Sequence, residues 1–504
     1  MAIQSKYSNS MNVKKYSILM VTSEAVPLAK SGGLGDVITP LCRELKKMGH
    51  QVTIVMPCYG FIDLSSFKKL KKDIGVFLGF ETEKASLYKT TITDQHVPLF
   101  LLKNEKLFAR DGIYGNKEEP LFRDNVKRFS FLCRGTLELC RVIPLTPDVF
   151  HVHDWPGALL PAMLNTQNEG ELGGSTSLLT IHNVGYQGIF SKHDIHYTGL
   201  SWNQLYKKDY KTGENLNLLK AGLTNSSLLN TVSPTYAKEI QTPPNGHGLE
   251  EILSRRVSDL YGVLNGIDYK EWNPETDPNL PYNYSQENLD NKSLVKAELQ
   301  KIVNLSVDSE KPLIGIISRI VNQKGFDVLC NSSKGALSLI LSKLPVQMVI
   351  LGTGDRVYEE ELKTLTNRFN NLSIFIGFND KLAHLIEGGS DFFLMPSRYE
   401  PCGLNQMYSM SYGTIPIVRK TGGLADTVEN YDPETGAGTG FLFEELNPVS
   451  VYETVKKAVD TWIHRRDHIF KMMKKAMKKR FSWDKSALEY IELYKKAIRK
   501  KNSR

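Results

Sequence analysis

Short apolar runs and amphipathic segments alternate along the start of the chain. Residues 17–21 form an apolar run, a glycine-rich loop extends to Gly33, and apolar residues then recur at helical spacing over 34–47. Gly49 ends that segment, and residues 51–56 form a second apolar run. This order of strand, glycine loop, helix and strand predicts the beginning of a doubly wound parallel sheet.

The second half of the chain repeats this pattern. Residues 312–317 are a strand-like run, the polar loop 318–325 follows, and a helical pattern comes next. Further strands are predicted at 346–351, 373–376 and 391–395, and helices over 404–410 and 447–500. The fold class that we predict is therefore α/β, with two doubly wound, Rossmann-like domains.

The length of the chain also favours two domains, because 504 residues exceed what one hydrophobic core usually covers. We place the N-terminal domain at 1–262, joined by a C-terminal helix at 484–504, and the second domain at 263–483. Residues 272–290 are rich in Pro, Asn and Asp and show no periodicity, so we expect the interdomain linker there.

Composition excludes some classes of protein. Hydrophobic residues make up 41% and charged residues 23% of the chain, which is typical of a soluble globular protein. No apolar stretch approaches the ~20 residues that span a bilayer, so we expect no membrane partner. Residues 1–15 are polar and lack the apolar core of a secretory signal, which predicts a frayed extension with Met11 as an alternative start.

Cysteine usage and charge bear on location and partners. The six cysteines form no C-x-x-C pairs and no metal-ligand spacing, which favours reduced thiols and a cytoplasmic location. The net charge of +8 is concentrated at 474–480 and 498–504, and such runs are typical of solvated helix faces. Nucleic-acid binding is the alternative. We do not expect it, because no recognised nucleic-acid module accompanies the charge.

One short turn occurs in both predicted domains. Residues 30–36 read KSGGLGD and residues 420–426 read KTGGLAD, and each turn opens a helix. Two glycines let the backbone approach a ligand closely, and the amino end of a helix favours negative charge. Two similar tight turns in similar folds are the alternative explanation. Neither turn is G-x-G-x-x-G, so a nicotinamide or flavin fingerprint is absent.

A carboxylate lies in a polar loop between a predicted strand and the next helix. The strand at 391–395 ends at Pro396, and the loop that follows contains Glu400. Ligands of open α/β sheets bind at the carboxyl ends of strands, and the second glycine turn belongs to the same edge. The sequence therefore predicts a carboxylate and an anion site together at this edge.

Seven segments occur in the order and spacing of one family: KSGGLGDV (30–37), HVHDWPGALLP (151–161), TIHNVGYQG (180–188), VLNGID (263–268), SRIVNQKG (318–325), EPCGLNQMYSMSYGTIPIV (400–418) and TGGLADTV (421–428). With them the chain resembles, nearly end to end, the bacterial glycogen synthases and plant starch synthases. That resemblance implies the GT-B fold, in which two Rossmann-like domains face a deep cleft. Because a phosphate turn is predicted in each half, we also expect the two domains to close over the substrate.

The resemblance implies a reaction and its partners. Glucose would pass from ADP-glucose, a substrate and not a cofactor, to the non-reducing 4-hydroxyl of glycogen or a maltooligosaccharide, with retention at the anomeric carbon. The residues themselves leave ADP against UDP open. Retention leaves two routes open as well. The departing phosphate oxygen accepts the acceptor's proton in front-face attack, or Glu400 acts as a covalent nucleophile.

The same resemblance implies five catalytic residues, which are Glu400, His182, Asp154, Arg319 and Lys324. Transfer builds negative charge on the leaving diphosphate and positive charge on the sugar, so cations and acceptors are both required. Arg319 and Lys324 match the diphosphate clamp, and Glu400, His182 and Asp154 match groups near the sugar. Taken alone, the cations and Glu400 also fit solvated loop residues, and His182 a structural histidine.

Further residues match the substrate-binding positions of the family. They are Lys30, Gly32, Gly33, Asp36, Asn265, Cys402, Gly403, Leu404, Thr421, Gly422, Gly423 and Leu424. Cys402 is the one thiol expected at the site, and the backbone N–H groups of the two turns are expected to hold phosphate. Asp124, Asn125 and Arg128 resemble the acceptor-side segment of the family.

The sequence gives little support for a bound metal. No D-x-D triplet occurs, and His151 with His153 lacks a third ligand at suitable spacing. Related transferases carry a second glutamate eight positions after the first, but here that position is Tyr408, as in the glycogen and starch synthase branch. Two rival functions remain. One is a GT-B transferase with another donor or a small acceptor, and the other is a non-catalytic glucan-binding protein.

Overall fold

The structure is a computed structural model that describes residues 14–166, 170, 172–207, 214–331 and 334–503. The predicted frayed extension therefore lies, apart from residues 14 and 15, outside the described residues. Within the described ranges, no helix combines the length and the apolar character needed to cross a lipid bilayer.

The chain divides into two compact units. The first consists of residues 1–231, 240–263 and 483–504, and the second of residues 232–239 and 264–482. A short segment at 232–239 thus belongs to the second unit, although it lies within the range that we assigned to the N-terminal domain.

The strands of the described residues, in chain order, are β1 (Ser17–Val21), β2 (Gln51–Pro57), β3 (Lys68–Lys69), β4 (Ile74–Leu78), β5 (Glu81–Ile92), β6 (Val97–Lys103), β7 (Val149–His153), β8 (Thr176–Ile181), β9 (Ile189–Phe190), β10 (Leu216–Asn217), β11 (Leu228–Thr231), β12 (Leu260–Gly262), β13 (Leu313–Ile317), β14 (Gln347–Gly352), β15 (Leu372–Ile376), β16 (Phe392–Met395), β17 (Ile415–Arg419) and β18 (Phe441–Phe443).

The α-helices are α1 (Gly33–Lys47), α2 (Glu105–Phe108), α3 (Asn125–Val142), α4 (Asp154–Gly157), α5 (Leu160–Asn165), α6 (Trp202–Tyr206), α7 (Leu218–Asn225), α8 (Pro234–Glu239), α9 (Glu250–Arg255), α10 (Asp290–Ile302), α11 (Phe326–Leu329), α12 (Ala336–Lys343), α13 (Arg356–Arg368), α14 (Asp380–Gly389), α15 (Asn405–Ser411), α16 (Gly422–Thr427), α17 (Pro448–His464), α18 (Arg466–Lys478) and α19 (Trp483–Asn502).

The main sheet of the first unit has the order β12-β11-β8-β7-β1-β2-β6-β5-β3. The strands from β12 to β6 are parallel, while β5 pairs antiparallel with β6, β3 and β4. From β1 the chain first builds outward through β2 and β6, and it then returns to place β7 and β8 on the other side of β1. The strand order therefore reverses between β1 and β7, and a crevice for ligands opens at such a point.

The sheet of the second unit is parallel throughout, in the order β15-β14-β13-β16-β17-β18. Apart from the edge strand β15, which is mostly half-buried, its strands are apolar runs buried on both faces, as parallel strands covered by helices require. The order reverses between β13 and β16. The loops that follow these two strands, 318–325 and 396–404, are the polar loops that the sequence singled out.

The predicted fold class is confirmed, since each unit is a doubly wound α/β structure with a mainly parallel sheet. The proposed linker at 272–290 is wrong, because this segment packs into the second unit. Leu280 and Tyr284 are buried, and the Tyr284 hydroxyl lies within hydrogen-bond distance of the carbonyl oxygens of Gly388 and Tyr412, at 2.9 and 2.8 Å. The segment lacks periodicity because its turns are fixed by packing and not by repeating backbone hydrogen bonds.

Candidate active site

The first glycine turn of the chain joins β1 to α1 in the first unit. A Cβ atom added at Gly32 or Gly33 would meet no atom within 4 Å, so the space beside these two residues is open. The Lys30 ammonium lies 2.9 Å from a carboxylate oxygen of Asp36, and both side chains are partly exposed. The turn therefore presents a cation, and the amino end of a 15-residue helix, to open space.

An internal carboxylate occupies part of this turn. Glu24 Oε2 accepts hydrogen bonds from the backbone N–H groups of Ser31 and Gly32, at 2.6 and 3.1 Å. The Tyr114 hydroxyl donates to Glu24 Oε1 at 2.6 Å, and Glu24 is almost fully buried. Phosphate binding by the Gly32 N–H stays a prediction, and it would require this donor to leave Glu24. Gly33 N–H has no acceptor in the described part of the chain.

Asp154 and His182 come together at the carboxyl ends of β7 and β8. The backbone N–H of His182 donates to Asp154 Oδ1 at 2.7 Å. Burial raises the pKa of Asp154 to about 7, and the negative charge of Glu24 adds to the rise. Asp154 also adopts a left-handed φ of 50°, a strained conformation that is concentrated at functional sites.

A row of histidines lies behind this pair. His182 Nε2 and His153 Nδ1 are 3.1 Å apart, and the rings of His153 and His151 are in contact. His151 is bonded to the Tyr494 hydroxyl and to Thr180 Oγ1, at 2.9 and 2.7 Å. This polar chain connects the site to α19, which completes the first unit.

The centre of the second unit's site is an ion pair at the reversal of its sheet. The Lys324 ammonium lies 2.6 Å from Glu400 Oε2, and the Ser397 hydroxyl donates to the same oxygen at 2.8 Å. The Glu400 side chain is 7% exposed and that of Lys324 18%, so solvent screens the pair weakly. Lys324, predicted as a diphosphate ligand, thus contacts the predicted sugar ligand directly.

Two loops hold this pair in place. Gly325 has a left-handed φ of 80°, and an added Cβ would lie 2.0 Å from the carbonyl oxygen of Pro396. The backbone N–H of Arg398 donates to the Gln323 carbonyl oxygen at 2.8 Å. The loops after β13 and β16 are therefore locked together. Arg319, the other predicted cation, is bonded through its guanidinium to Gln323 Oε1 at 3.1 Å and is exposed.

The second glycine turn begins α16 and is closely packed. An added Cβ at Gly422 would lie 1.9 Å from the carbonyl oxygen of Glu400, and one at Gly423 would lie 2.0 Å from that of Cys402. The backbone N–H of Gly423 donates to the Glu400 carbonyl oxygen at 3.0 Å. The glycines are therefore required for contact with the Glu400 loop.

The donors of this turn are paired within the second unit. Glu239 Oε1 accepts from the Gly422 N–H and from the Thr421 hydroxyl, both at 3.0 Å. The Leu424 N–H donates to the Thr421 carbonyl oxygen at 3.1 Å. Phosphate binding by Gly422, Gly423 and Leu424 stays a prediction, and it would require these N–H groups to leave their present acceptors.

Cys402 is part of the hydrophobic core of the second unit and is 4% exposed. Burial raises the pKa of its thiol to about 12, and its sulfur accepts a hydrogen bond from the backbone N–H of Asn265. The place of Cys402 at the site stays a prediction, and all six cysteines are free and buried. Asn265 is buried too, and its Oδ1 has no hydrogen-bond partner in the described residues.

The predicted acceptor-side segment has a structural function. Arg128 is fully buried and donates to the carbonyl oxygens of Leu107 and Ile113, at 2.8 and 2.9 Å. Asn125 is also buried, and Asp124 forms an ion pair with Arg110 at 2.9 Å. Burial lowers the pKa of Arg128 to about 10. These contacts fix the loop at 107–113, so Asn125 and Arg128 are directed into the protein.

Sequence reasoning did not identify the residues that support the site, namely Glu24, Tyr114, Glu239, Ser397 and His153 as a partner of His182. Glu24 follows the end of β1 closely, so the rule for strand ends would have found it. Tyr114 and Glu239 carry no local signal, because their contacts lie 90 and 182 residues away. In the described part of the chain, no cluster of His, Cys, Asp and Glu has a metal-binding arrangement.

Comparison with known families and proteins confirms the resemblance. Residues 17–255 match the starch synthase catalytic domain, and residues 299–479 match the glycosyl transferases group 1. A glycogen synthase of Treponema denticola is 47% identical over 96% of this chain and 99% of its own length. Glycogen synthase 1 of Geobacter metallireducens is 42% identical over 97% of each chain.

Solved structures of glycosyltransferases are also similar to this chain. The catalytic domain of starch synthase IV from Arabidopsis thaliana, bound to ADP and acarbose, has a TM-score of 0.87 and 31% identity, over 96% of this chain and all of that one. Sucrose-phosphate synthase of Thermosynechococcus elongatus shares the fold, with a TM-score of 0.59 at 17% identity over 96% and 99%. This chain belongs to the glycogen synthase and starch synthase family of glucosyltransferases.

Proposed function

We propose that this protein lengthens an α-1,4-glucan by transferring glucose from ADP-glucose to the 4-hydroxyl at the non-reducing end, with retention. The observation that carries the proposal is the buried pair of Glu400 and Lys324 at the sheet reversal of the second unit. ADP as the nucleotide is supported by the Arabidopsis relative, which is bound to ADP. The free, buried cysteines are consistent with a cytoplasmic location.

In the second unit, Arg319 and Lys324 would stabilise the diphosphate as negative charge builds on its leaving oxygen. Arg319 provides a planar pair of donors on an exposed loop, and Lys324 provides a compact charge. Glu400 would accept hydrogen bonds from the sugar hydroxyls. Its Oε2 already accepts from Lys324 and Ser397, so the orientation of the carboxylate is fixed.

In the first unit, Lys30 and the Gly33 N–H would bind phosphate oxygens. Lys30 is partly exposed in its ion pair with Asp36, and Gly33 borders open space, whereas the Gly32 N–H is held by Glu24. His182 and Asp154 would contact sugar hydroxyls at the carboxyl ends of β7 and β8. The backbone N–H groups of His182 and Asn183 hold the Asp154 carboxyl group in place at this edge of the sheet.

We further propose front-face transfer, in which the departing phosphate oxygen accepts the proton of the acceptor hydroxyl. The C–O bond to the diphosphate breaks as the new glycosidic bond forms on the same face. The ion pair of Glu400 with Lys324 supports this route over covalent catalysis, because a carboxylate stabilised by a cation and a hydroxyl is a weaker nucleophile. Trapping a glucosyl group on Glu400 would instead establish the covalent route.

The experiment is a transfer assay with glycogen or maltoheptaose as acceptor and ADP-glucose or UDP-glucose as donor. We expect faster incorporation of glucose from ADP-glucose, with release of one ADP per glucose added. Release of no nucleotide from either donor in the presence of glycogen would contradict the proposal. Faster transfer from another nucleotide sugar, or to a small acceptor, would favour the rival transferase.

Two substitutions separate the roles of the cations. Arg319→Ala removes a cation that would stabilise the leaving diphosphate, so we expect kcat to fall about 10²- to 10³-fold. Because the Arg319 side chain is exposed, we expect little change in stability. Lys324→Ala should lower kcat similarly, but it should also destabilise the protein because it leaves buried Glu400 unpaired. Thermal unfolding measured beside the assay distinguishes the two effects. Equal rates in Arg319→Ala and the wild type would remove Arg319 from the site.

A further inference from the structure

His182 shares a hydrogen bond with a second imidazole, that of His153. His182 follows β8 and His153 ends β7, and their Nε2 and Nδ1 atoms are 3.1 Å apart. His153 is fully buried, while His182 is partly exposed. The backbone of His182 is held separately, through its N–H, by Asp154. The contact with His153 therefore fixes the ring, and not only the position of the chain.

The contact requires exactly one proton between the two nitrogens, so the proton belongs either to His153 Nδ1 or to His182 Nε2. Both rings are neutral at physiological pH, because burial lowers the pKa of His182 to about 3 and that of His153 well below its ordinary value. A neutral imidazole carries one N–H and one lone pair. The location of one proton therefore determines the tautomers of both rings.

The other nitrogen of His153 decides between these two arrangements. His153 Nε2 is buried and has no hydrogen-bond partner in the described residues. If His182 donated, His153 would carry its own proton on Nε2 as a buried, unpaired N–H, and such groups are rare in folded proteins. If His153 donates from Nδ1, only a lone pair is left unpaired at Nε2. The second arrangement is less costly.

We propose that His153 is a positioning residue that donates its Nδ1–H to His182 and thereby holds His182 as the Nδ1–H tautomer. His182 Nδ1 has no acceptor among the described residues, so its N–H is available as a donor. This inference rests on the proposed function, in which His182 contacts a sugar. His182 would then donate a hydrogen bond to a sugar oxygen, and it would not accept one from a sugar hydroxyl.

His151 provides a matched control on the same strand. It is fully buried like His153, but both of its ring nitrogens have partners, the Tyr494 hydroxyl and Thr180 Oγ1. It forms no hydrogen bond with His182. Replacing His151 therefore disturbs the same buried region without removing the donor to His182.

The decisive measurement is the tautomer of His182 in the wild-type protein. Long-range ¹H–¹⁵N correlation spectra of protein labelled with ¹⁵N-histidine distinguish Nδ1–H from Nε2–H, and the signal is assigned by its loss in His182→Gln. We expect Nδ1–H for His182. An Nε2–H signal overturns the inference. The readout requires no activity, so a wild type that transfers no glucose defeats the proposed function and leaves this result standing.

Variants test the function of the donor. Asn places an amide N–H near the position of His Nδ1, so His153→Asn should keep kcat within about threefold of the wild type. His153→Leu removes the donor and should lower kcat at least tenfold, with a smaller change in the KM for ADP-glucose. His151→Gln should lower the unfolding temperature but leave the His182 tautomer unchanged. Wild-type kcat in folded His153→Leu, or a changed tautomer in His151→Gln, would count against the proposal.

Discussion

The turns at 30–36 and 420–426 are identical at five of seven positions, yet their glycines are in opposite surroundings. Gly32 and Gly33 border open space, whereas Gly422 and Gly423 press against the backbone of the Glu400 loop. In the first turn the absent side chain leaves room for a ligand. In the second it lets α16 approach the loop that carries Glu400. The same motif therefore provides access in one unit and close packing in the other.

A second contrast lies in the carboxylates that cap the turns. Glu24 is seven residues from its partner Ser31, so the first cap is a local feature of the loop. Glu239 is 183 residues from Gly422 and comes from α8, the segment that belongs to the second unit. Thr235 of the same segment donates twice to Asp426, at 2.9 and 2.6 Å. The second turn is thus fixed by a distant part of the chain.

The largest expected effect comes from alanine substitutions at the glycines. Gly422→Ala places a Cβ 1.9 Å from a carbonyl oxygen at a φ of 44°, so we expect a loss of at least about 3 kcal/mol in the free energy of unfolding. Gly33→Ala meets no atom, and we expect a change within about 1 kcal/mol. Urea denaturation of both variants measures the difference. Similar losses of stability in the two variants would contradict the difference in packing between the two turns.

The lysines that open the two turns give the next effect. Lys30 lies 2.9 Å from Asp36, and Lys420 lies 2.9 Å from Glu444, and all four side chains are partly or largely exposed. If Lys30 binds phosphate, Lys30→Ala should lower kcat/KM for ADP-glucose about 10- to 100-fold, which corresponds to roughly 1.4 to 2.7 kcal/mol.

Lys420→Ala is the matched control for this measurement, because it removes the same type of side chain from the same position of the other turn. We expect kcat/KM within about twofold of the wild type. Equal losses in the two variants would show that the lysines act through general charge, and not through a specific contact in the first turn.

Glu239 tests whether the second cap acts through hydrogen bonding or charge. Glu239→Ala removes the acceptor for the Gly422 N–H and the Thr421 hydroxyl, so we expect a loss of about 2 kcal/mol and faster hydrogen exchange at the Gly422 amide. Glu239→Gln keeps an acceptor oxygen and should lose about 1 kcal/mol or less. Unchanged exchange in Glu239→Ala would show that the cap does not hold the turn.

The smallest effect concerns the pKa of Asp154, which Glu24 helps to raise. The raised pKa of Asp154, about 7 against an ordinary 3.8, means that the folded state binds a proton that the unfolded state releases. Stability should therefore decrease as pH rises from about 4 to 7. Glu24→Gln removes a nearby negative charge, so the pKa of Asp154 should fall by several tenths of a unit. A carbon-13 titration of labelled aspartate measures this, and an unchanged or higher pKa would contradict it.

The sequence predicted the fold well because buried parallel strands are recognisable as apolar runs. The strands at 17–21 and 391–395 and the turns that open α1 and α16 lie within two residues of their predicted places. It also indicated the strand ends where Glu400, Lys324, Asp154 and His182 are found. It did not predict which donors remain available, because Glu239, which accepts from the Thr421 hydroxyl and the Gly422 N–H, lies far away along the chain.

The features that the sequence did not show have a common physical cause. Asn125, Arg128 and Cys402 lie in or near motif segments, but the side-chain direction depends on the helix or loop that each residue joins. Arg128 faces inward from α3 and pairs with carbonyl oxygens, which an isolated sequence does not distinguish from a surface cation. Residues 272–290 resemble a linker in composition, yet Tyr284 anchors them in the core.

The return of α19 to the first unit has a consequence for biosynthesis. Tyr490 and Tyr494 leave the ribosome after every residue of the second unit, but they supply the hydroxyls that Asn230 and His151 require. Until α19 has been synthesised, the side chains of Asn230 on β11 and His151 on β7 therefore lack these hydrogen-bond partners. The second unit, although made later, is complete before the first, so the nascent chain finishes folding in the reverse of the order in which its sheets were begun.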